Sequence, residues 1–438
     1  MRILLIDAGD NFLDFAMRCE AFGHEVRVFM GPNSDGSRFK AGDGLITKIG
    51  NWEASMKWAD LIIVSDNAKY ATALESYRKR GFPIFNSHKP IAEWELNRGT
   101  GIEVFENAGI KTIPSEVFTD YDKAIAFVEK NSDKRYVSKP SGDADKALSY
   151  VSKSAADMIF MLEYWKKQGK IKSPFLLQEF KPGIEMAVSG WFGKNGFSKY
   201  FLENFEFKKL MPSNYGPNTG ESGTLMKYVT ESKLADEVLK PLAPQLFKEG
   251  YVGFIDVAVI IQPEAPWPME HSVARFGWPL FQIQQILHPE PVQWMFDLFD
   301  GEDAFKPNTE IACGVVVAFP PYPYHSVGHG EGYPIWGINE KNRYFIHPAE
   351  MMLSKTPMPD MDGDKVKRHL MMVSSGVYPV VCSGRGDTVK EACKGAFGVI
   401  DELVIPNSPI VRDDIGERLK KEIPELQKMG YATEWEYE

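Results

Sequence analysis

Ile3 to Ile6 form an unbroken apolar run near the start of the chain, and Arg2 to Asp7 around them reads as a strand buried on both faces. Asn11 to Phe22 continues at helical spacing, His24 to Met30 reads as a second strand, and ADLIIVSD, Ala59 to Asp66, is a third apolar run. A helical stretch through Arg80 and the strand FPIFN complete the alternation, which predicts a doubly wound parallel sheet. Ligands of such sheets sit at the carboxyl ends of the strands, so Asp7 to Asn11, Ser65 to Asn67 and Asn86 to Lys89 are the polar loops to follow.

The pattern then changes. One helix is expected from Ala92 to Ala108, a turn and strand over GIKTIPSEVF, and a helix over TDYDKAIAFVEKN capped by Thr119 or Asp120. RYVSKP, Arg135 to Pro140, is a strand that delivers Lys139 to a polar loop, SGDADK. PFLLQEFKPGIEMAVSGWFG reads as strand, linker, strand, and Gly253 to Ile261 with Trp267 to Val273 as the two arms of one hairpin. YGPNTGESGT, Tyr215 to Thr224, reads as an ordered turn-rich loop, neither helix nor strand, and it lacks the spacing and lysine of a P-loop. From about Phe319 short strands, a Gly/His/Pro loop and a helix from Thr388 to Leu403 suggest a small mixed α+β domain.

With 438 residues, 44% of them hydrophobic, the chain is long enough for two to four globular cores. A net charge of −10 without a dense Lys/Arg run argues against a nucleic-acid polymer as partner. No segment has the length and apolarity of a membrane span, and the start carries no signal-peptide pattern. The four cysteines, Cys19, Cys313, Cys382 and Cys393, have no metal spacing and read as reduced thiols of a cytoplasmic protein.

Few residues stand out chemically. Lys139 at a strand end is either a solvated lysine or a fixed cation for phosphate. Asp256 and Glu270 each interrupt an apolar arm of the hairpin and need a partner there; Mg²⁺ held between hard oxygen ligands is one solution, a solvent-facing edge the other. Arg275 can pair with either carboxylate or with a substrate anion. His325 and His329 lie in a glycine-rich loop that reads as a turn rather than a zinc site, and no nucleophile elbow is present.

Taken in order, YVSKP, QEFKPGIE, GPNTGESGT, MEHSVARFGWP, CGVVVAFPPYPY, SGRGDTVKEACKGAF and RDDIGERL resemble the ATP-grasp ligases, among them the glycinamide ribonucleotide synthetase family, over nearly the whole chain. The resemblance implies three parts: an N-terminal α/β domain over 1–90, an ATP-grasp domain of two subdomains over 91–318, and a C-terminal α+β domain over 319–438. It implies a ligase that uses ATP with Mg²⁺ or Mn²⁺ to phosphorylate glycine and joins the acyl phosphate to phosphoribosylamine, as a monomer or homodimer.

Carried over position by position, Lys139 and Arg98 would hold phosphates, and Gln178, Glu179 and Phe180 would meet adenine and ribose, supported by Glu185. Glu270, Asp256 and Ser272 would hold the metal, Arg275 would orient an acidic substrate or acyl phosphate, and Asn218, Thr219 and Gly220 would cover the reacting group. The departures concern substrates more than nucleotide. Asp10 stands in the loop where the family welcomes phosphate, the lid SGDADKALSY keeps one glycine, Gly142, and Trp278 replaces an acidic residue. Ser272 replaces Asn, and GPNTGE replaces GPNTGG. A changed acid or amine, such as a modified nucleotide, and a catalytically silent relative are the alternatives.

Overall fold

The structure, a computed structural model, describes every residue except 10, 34, 141–148, 170–173, 278, 325–327, 360–365 and 408. The opening apolar runs form β1 (Arg2–Asp7), β2 (Glu25–Met30), β3 (Leu61–Val64) and β4 (Ile84–Phe85), a parallel sheet of order β2-β1-β3-β4. Helix α1 (Leu13–Ala21) buries Leu13, Phe15, Ala16 and Cys19, and α2 (Ala71–Arg78) buries Leu74. The expected parallel sheet is present.

The single helix expected from Ala92 to Ala108 is two, α3 (Lys89–Leu96) and α4 (Arg98–Asn107). Asn97 leaves helical geometry and its side-chain oxygen accepts from the Gly99 and Thr100 amides, so it caps the second helix and ends the first. The break places Arg98 at a helix start rather than mid-helix.

A second sheet, β5-β8-β6-β7, combines β5 (Ser115–Phe118), β6 (Tyr136–Pro140), β7 (Tyr150–Val151) and β8 (Phe175–Glu179). Helices α5 (Tyr121–Lys130), capped by Asp120, and α6 (Ala155–Lys167), capped by Ser154, cover it around Phe118, Val128, Met158, Leu162 and Trp165.

The largest sheet is antiparallel throughout and runs β13-β12-β9-β10-β11-β14-β19-β16. It takes β9 (Ile184–Gly193), β10 (Gly196–Met211), β11 (Tyr215–Val229), β12 (Gly253–Gln262), β13 (Ala265–Val273) and β14 (Ile311–Ala318). It continues past residue 318 into β16 (Ile346–Pro348) and β19 (Val380–Gly386), after β15 (Glu331–Pro334). The intervening β17 (Met351–Pro359) and β18 (Val366–Ser375) pair with β15 in a three-stranded sheet, and β20 (Ile410–Val411) flanks β14. One face carries Val188, Phe205, Ile255 and Val257 into a core. That core is covered by α7 (Lys233–Val238), α8 (Ala243–Glu249), α11 (Val389–Glu402) and α12 (Leu419–Lys428). The other face packs its apolar end, Trp191, Leu202, Tyr228 and Phe254, against β1 and α1, with α9 (Leu280–Gln284) and α10 (Gln293–Asp300) beside it.

The expectation of a loop over YGPNTGESGT is overturned: Tyr215 to Thr224 is the first half of β11. Glycine and proline cost a strand its local preference, but pairing with β10 and β14 decides here. The irregular composition survives as irregular register. Lys209 lies opposite Asn218 and Phe207 opposite Gly223, so residues 219–222 bulge. Gly216 has a φ of +77°, which the turn from β10 requires.

A buried joint ties the first and last thirds together. His347 Nδ1 lies 2.8 Å from Asp14 Oδ2 and its Nε2 2.7 Å from Ser383 Oγ, all fully inside the protein. Among the described residues no helix is long and apolar enough to cross a membrane.

Candidate active site

β6 and β8 are antiparallel, so the carboxyl end of β6 lies beside the start of β8, and it is Lys139 there that reaches the large sheet. Lys139 on β6 donates from Nζ to the Met269 carbonyl on β13 at 3.0 Å, bridging the two sheets. Between them the chain crosses at Phe180 to Gly183; a side chain at Gly183 would strike Ile260 and the Ile261 carbonyl, so the crossing is close.

Met269 also explains how the hairpin aims its acids. The pairing of β12 with β13 slips by one residue between Ala258 and Val259, leaving Met269 unpaired. Without that bulge Glu270 would point into the apolar core; with it, Glu270 and Ser272 share a face with Asp256. The same face receives Glu185 and Ser189 from β9, Asn204, Glu206 and Lys208 from β10, and Thr224 from β11. Ala187 and Ala258 lie side by side in the middle of it.

The charges form a network. Arg98 at the start of α4 meets Glu270 Oε2 at 2.9 Å, and Lys208 meets Glu185 at 2.8 Å, Glu206 at 3.3 Å and Glu270 at 3.9 Å. Burial opposes ionisation of Glu270, but Arg98, Lys139 and Lys208 more than offset it and hold the carboxyl well below the usual carboxylate range. Burial, reinforced by the neighbouring cations Arg98 and Lys208, pulls the Lys139 ammonium down to about 8 against the pull of Glu270. Burial opposes the charge on Lys208 too, but Glu185, Glu206 and Glu270 together outweigh it and hold the ammonium well above the usual lysine range.

Of the three expected metal ligands, the two carboxylates Asp256 and Glu270 do not face each other. Ser272 lies opposite Asp256 and Ala258 opposite Glu270, because the bulge sets the register. Asp256 accepts from Ser189 Oγ at 2.7 Å, and burial together with Glu206 raises its carboxyl above the usual range. The donors are nonetheless hard oxygens on one face, the chemistry Mg²⁺ selects. The acids Glu95, Glu185, Glu206, Glu221, Asp256 and Glu270 are met by Arg98, Lys139, Lys208 and Arg275, with Arg418 also acting on Glu185. Among the described residues no three acidic, histidine or cysteine side chains are gathered closely enough to hold a metal ion by themselves.

Arg275 pairs with neither Asp256 nor Glu270. Its guanidinium grips Glu95 of α3 at 2.7 to 3.0 Å and reaches Ser272 Oγ at 3.2 Å. Glu95 is itself fixed by the Asn67 side chain and the Val273 amide, so it holds Arg275 against the loop after β3. No motif marks Glu95, which comes from a helix 180 residues away. Glu206 and Lys208 carry a weak signal, two charges spaced for one face of the strand FEFKK.

The remaining expected residues fall as follows. Gln178 is buried against Ser115, and Glu179 is bonded to Lys134 and Lys181, so its side chain is engaged before any ligand arrives. The Phe180 amide donates to the Arg135 carbonyl, and Arg135 stacks on the Phe180 ring at 3.8 Å. Asn218 reaches the Ser149 carbonyl at 3.4 Å, and Thr219 donates to the Lys208 carbonyl at 2.8 Å, which ties the bulge, with Gly220 in it, to the charged strand. Arg412 and Asp414 of RDDIGERL fasten the turn before it, through Lys209, Asn214 and Ser213. Asp7 holds the first loop from within, accepting from the Gly9 and Phe12 amides and from Ser65. Asp10, Trp278, His325 and the lid at 141–148, including Gly142, lie outside the described residues.

The chain is similar to known proteins in sequence and in fold. Residues 101–280 match the family described as phosphoribosylglycinamide synthetase, ATP-grasp (A) domain. Phosphoribosylamine–glycine ligase of Streptococcus pneumoniae is 24% identical, over 96% of this chain and 100% of its own length. Its counterpart from Clostridium acetobutylicum is 24% identical over 95% and 100%. The solved phosphoribosylamine–glycine ligase of Thermotoga maritima superposes with a TM-score of 0.71 at 20% identity, covering 94% of this chain and all of that one.

Proposed function

We propose a reaction from one premise: this chain belongs to the ATP-grasp ligases, as a divergent member similar to phosphoribosylamine–glycine ligase. It is an ATP-dependent C–N ligase, and the pair its relatives point to is glycine and phosphoribosylamine, giving glycinamide ribonucleotide, ADP and phosphate. A free carboxylate resists an amine because its charge repels the nucleophile and oxide is not a leaving group. Transfer of the γ-phosphoryl of ATP to the carboxylate oxygen makes an acyl phosphate; the amine then adds to the carbonyl carbon and phosphate departs.

The observation that carries this reading is the convergence of Lys139, Arg98 and Lys208 around Glu270 between two sheets. Three fixed cations stabilise charge on a phosphoryl group as it moves between oxygens, which is where most catalysis of this transfer arises. Glu270 and Asp256, with Ser272 beside them, would hold Mg²⁺, whose role when bound is to neutralise phosphate oxygens. Gln178 and the Glu179 to Phe180 crossing border the base and ribose side, with Glu185 and Lys208 next to them. Arg275, rigid on Glu95, orients the acid, and Asn218 with Thr219 and Gly220 of the bulge beside it lies over the reacting group. In this reading residues 91–318 supply the nucleotide site, and 1–90 and 319–438 the parts around it.

A changed acid or amine is the second reading, favoured by Glu221, which brings an additional buried carboxylate where the resemblance has glycine. Trapping tests the chemistry whichever pair is used. With Mg-ATP, a competent carboxylate and hydroxylamine, the protein should form the hydroxamate and ADP in equal amounts. Failure of glycine and of every acid in a panel to give hydroxamate would refute the acyl phosphate.

A further inference from the structure

Glu221 is the residue the reaction above leaves unused. It is 4% exposed, and its Oε1 is buried with no hydrogen-bond partner. The Leu280 amide at the start of α9 donates to its carboxyl group, and burial together with the neighbouring Glu206 and Asp256 pushes that group well above the usual carboxylate range in the ligand-free protein. Among the described residues Lys208 is the cation that acts on it, and that ammonium already serves Glu185 and Glu206.

A second observation is independent of the acids. Asn204, fully buried on β10, leaves both Nδ2 and Oδ1 unpartnered, and so does the Oγ1 of buried Thr224 on β11. Thr224 lies directly opposite Glu206, and Asn204 precedes Glu206 by two residues on the same face. Buried polar atoms are normally bonded, and a set of them left open together on the floor of a binding face is the mark of a ligand's place. The open atoms are a carboxylate oxygen, an amide oxygen and a hydroxyl, with Glu206 alongside: acceptors suited to the three N–H donors of an ammonium group. Asn204 Nδ2 adds one donor, which asks for an oxygen near that ammonium.

We propose that Glu221, Glu206, Asn204 and Thr224 form a subsite for a primary ammonium group of a substrate, one carried through the reaction rather than consumed. The ligand class is an amino-acid-like molecule with an additional amino group. This rests on the ligase reading with a changed acid or amine and names what changed.

Calorimetry with purified full-length protein and its Glu221→Gln variant tests it, using L-2,4-diaminobutyrate and its hydroxyl isostere L-homoserine as probes. Wild type should bind the diamino acid at least tenfold more tightly than homoserine, and Glu221→Gln should shrink that preference to within threefold. Thr224→Val, which keeps shape and removes the hydroxyl, should reduce it about threefold. Equal binding of the two probes, failure of both to bind, or a preference that survives in Glu221→Gln would overturn the subsite. So would a tenfold loss of Mg²⁺ affinity in Glu221→Gln with no nucleotide present, which would make Glu221 a metal ligand. Selective binding with no ADP release for any acid refutes the ligase reading alone. ADP release from glycine and phosphoribosylamine with unchanged KM and kcat in Glu221→Gln refutes the subsite alone.

Discussion

Glu270→Gln separates chemistry from folding. The carboxylate holds Arg98 at 2.9 Å and lies 3.9 Å from Lys208. Two unit charges about 4 Å apart at an effective permittivity near 20 attract by about 4 kcal/mol before desolvation. Once desolvation and screening are counted, such a pair nets about 1 to 2 kcal/mol. Glutamine keeps the shape and one acceptor, so the fold should lose no more than about 2 kcal/mol, a fall of roughly 2 to 4 °C in Tm for a chain of this length. Turnover should lose far more. Removing an anionic ligand aimed at the transferring group costs about two to three decades, or about 2.7 to 4 kcal/mol. A further signature follows from the cations. Freed of Glu270, Arg98, Lys139 and Lys208 should bind metal-free ATP at least as tightly as before. The assay combines coupled ADP release across a Mg²⁺ titration, calorimetry with ATP in EDTA, and thermal unfolding. Turnover within threefold of wild type at the same Mg²⁺ half-saturation would remove Glu270 from the metal site.

Other outcomes follow from charge and burial. Lys139 titrates at about 8 in the ligand-free protein, so ATP affinity should decline as pH rises above 8; Lys139→Met should abolish that decline, and an equal slope in the variant would refute the assignment. Burial lowers His88 to about 4 and His288 to about 3, so both are neutral in the fold and protonate first in the unfolded chain. Their contribution is complete above pH 6.5 and is lost as pH falls toward 4, at about 1.4 kcal/mol per pH unit each. His288→Gln should reduce the slope of stability between pH 6 and 4.5 by that amount, measured by urea unfolding, and an unaltered slope would contradict it. His347→Phe removes the joint between Asp14 and Ser383 and leaves a buried carboxylate with Arg18 alone, at a cost of about 2 to 4 kcal/mol. An unchanged Tm would show that the joint contributes nothing.

How much of this was legible in the sequence depended on range. The parallel strands and the β12–β13 hairpin could be read because their apolar periods are local, and so could the placement of Lys139 at a strand end. Asn97 could not be read as a helix break, since the apolar pattern on either side runs through it. The strand through YGPNTGESGT was hidden for the opposite reason. Every local preference there opposes a strand, and the partners that impose one come from β10, β14 and the Arg412 segment. At the site, the period of β12 and β13 announced two carboxylates, but only the bulge at Met269 decides that both use one face. Glu95 as the partner of Arg275 is a product of tertiary packing, with no trace in either local segment.

The most direct test of the central claim is ADP release by the purified protein with Mg-ATP, glycine and freshly generated phosphoribosylamine, each omitted in turn, alongside a panel of other acids and amines. The account predicts ADP formation that requires both an acid and an amine, with glycine and phosphoribosylamine as the first pair to try and diamino acids as the next. ATP binding without ADP release for any pair would contradict it.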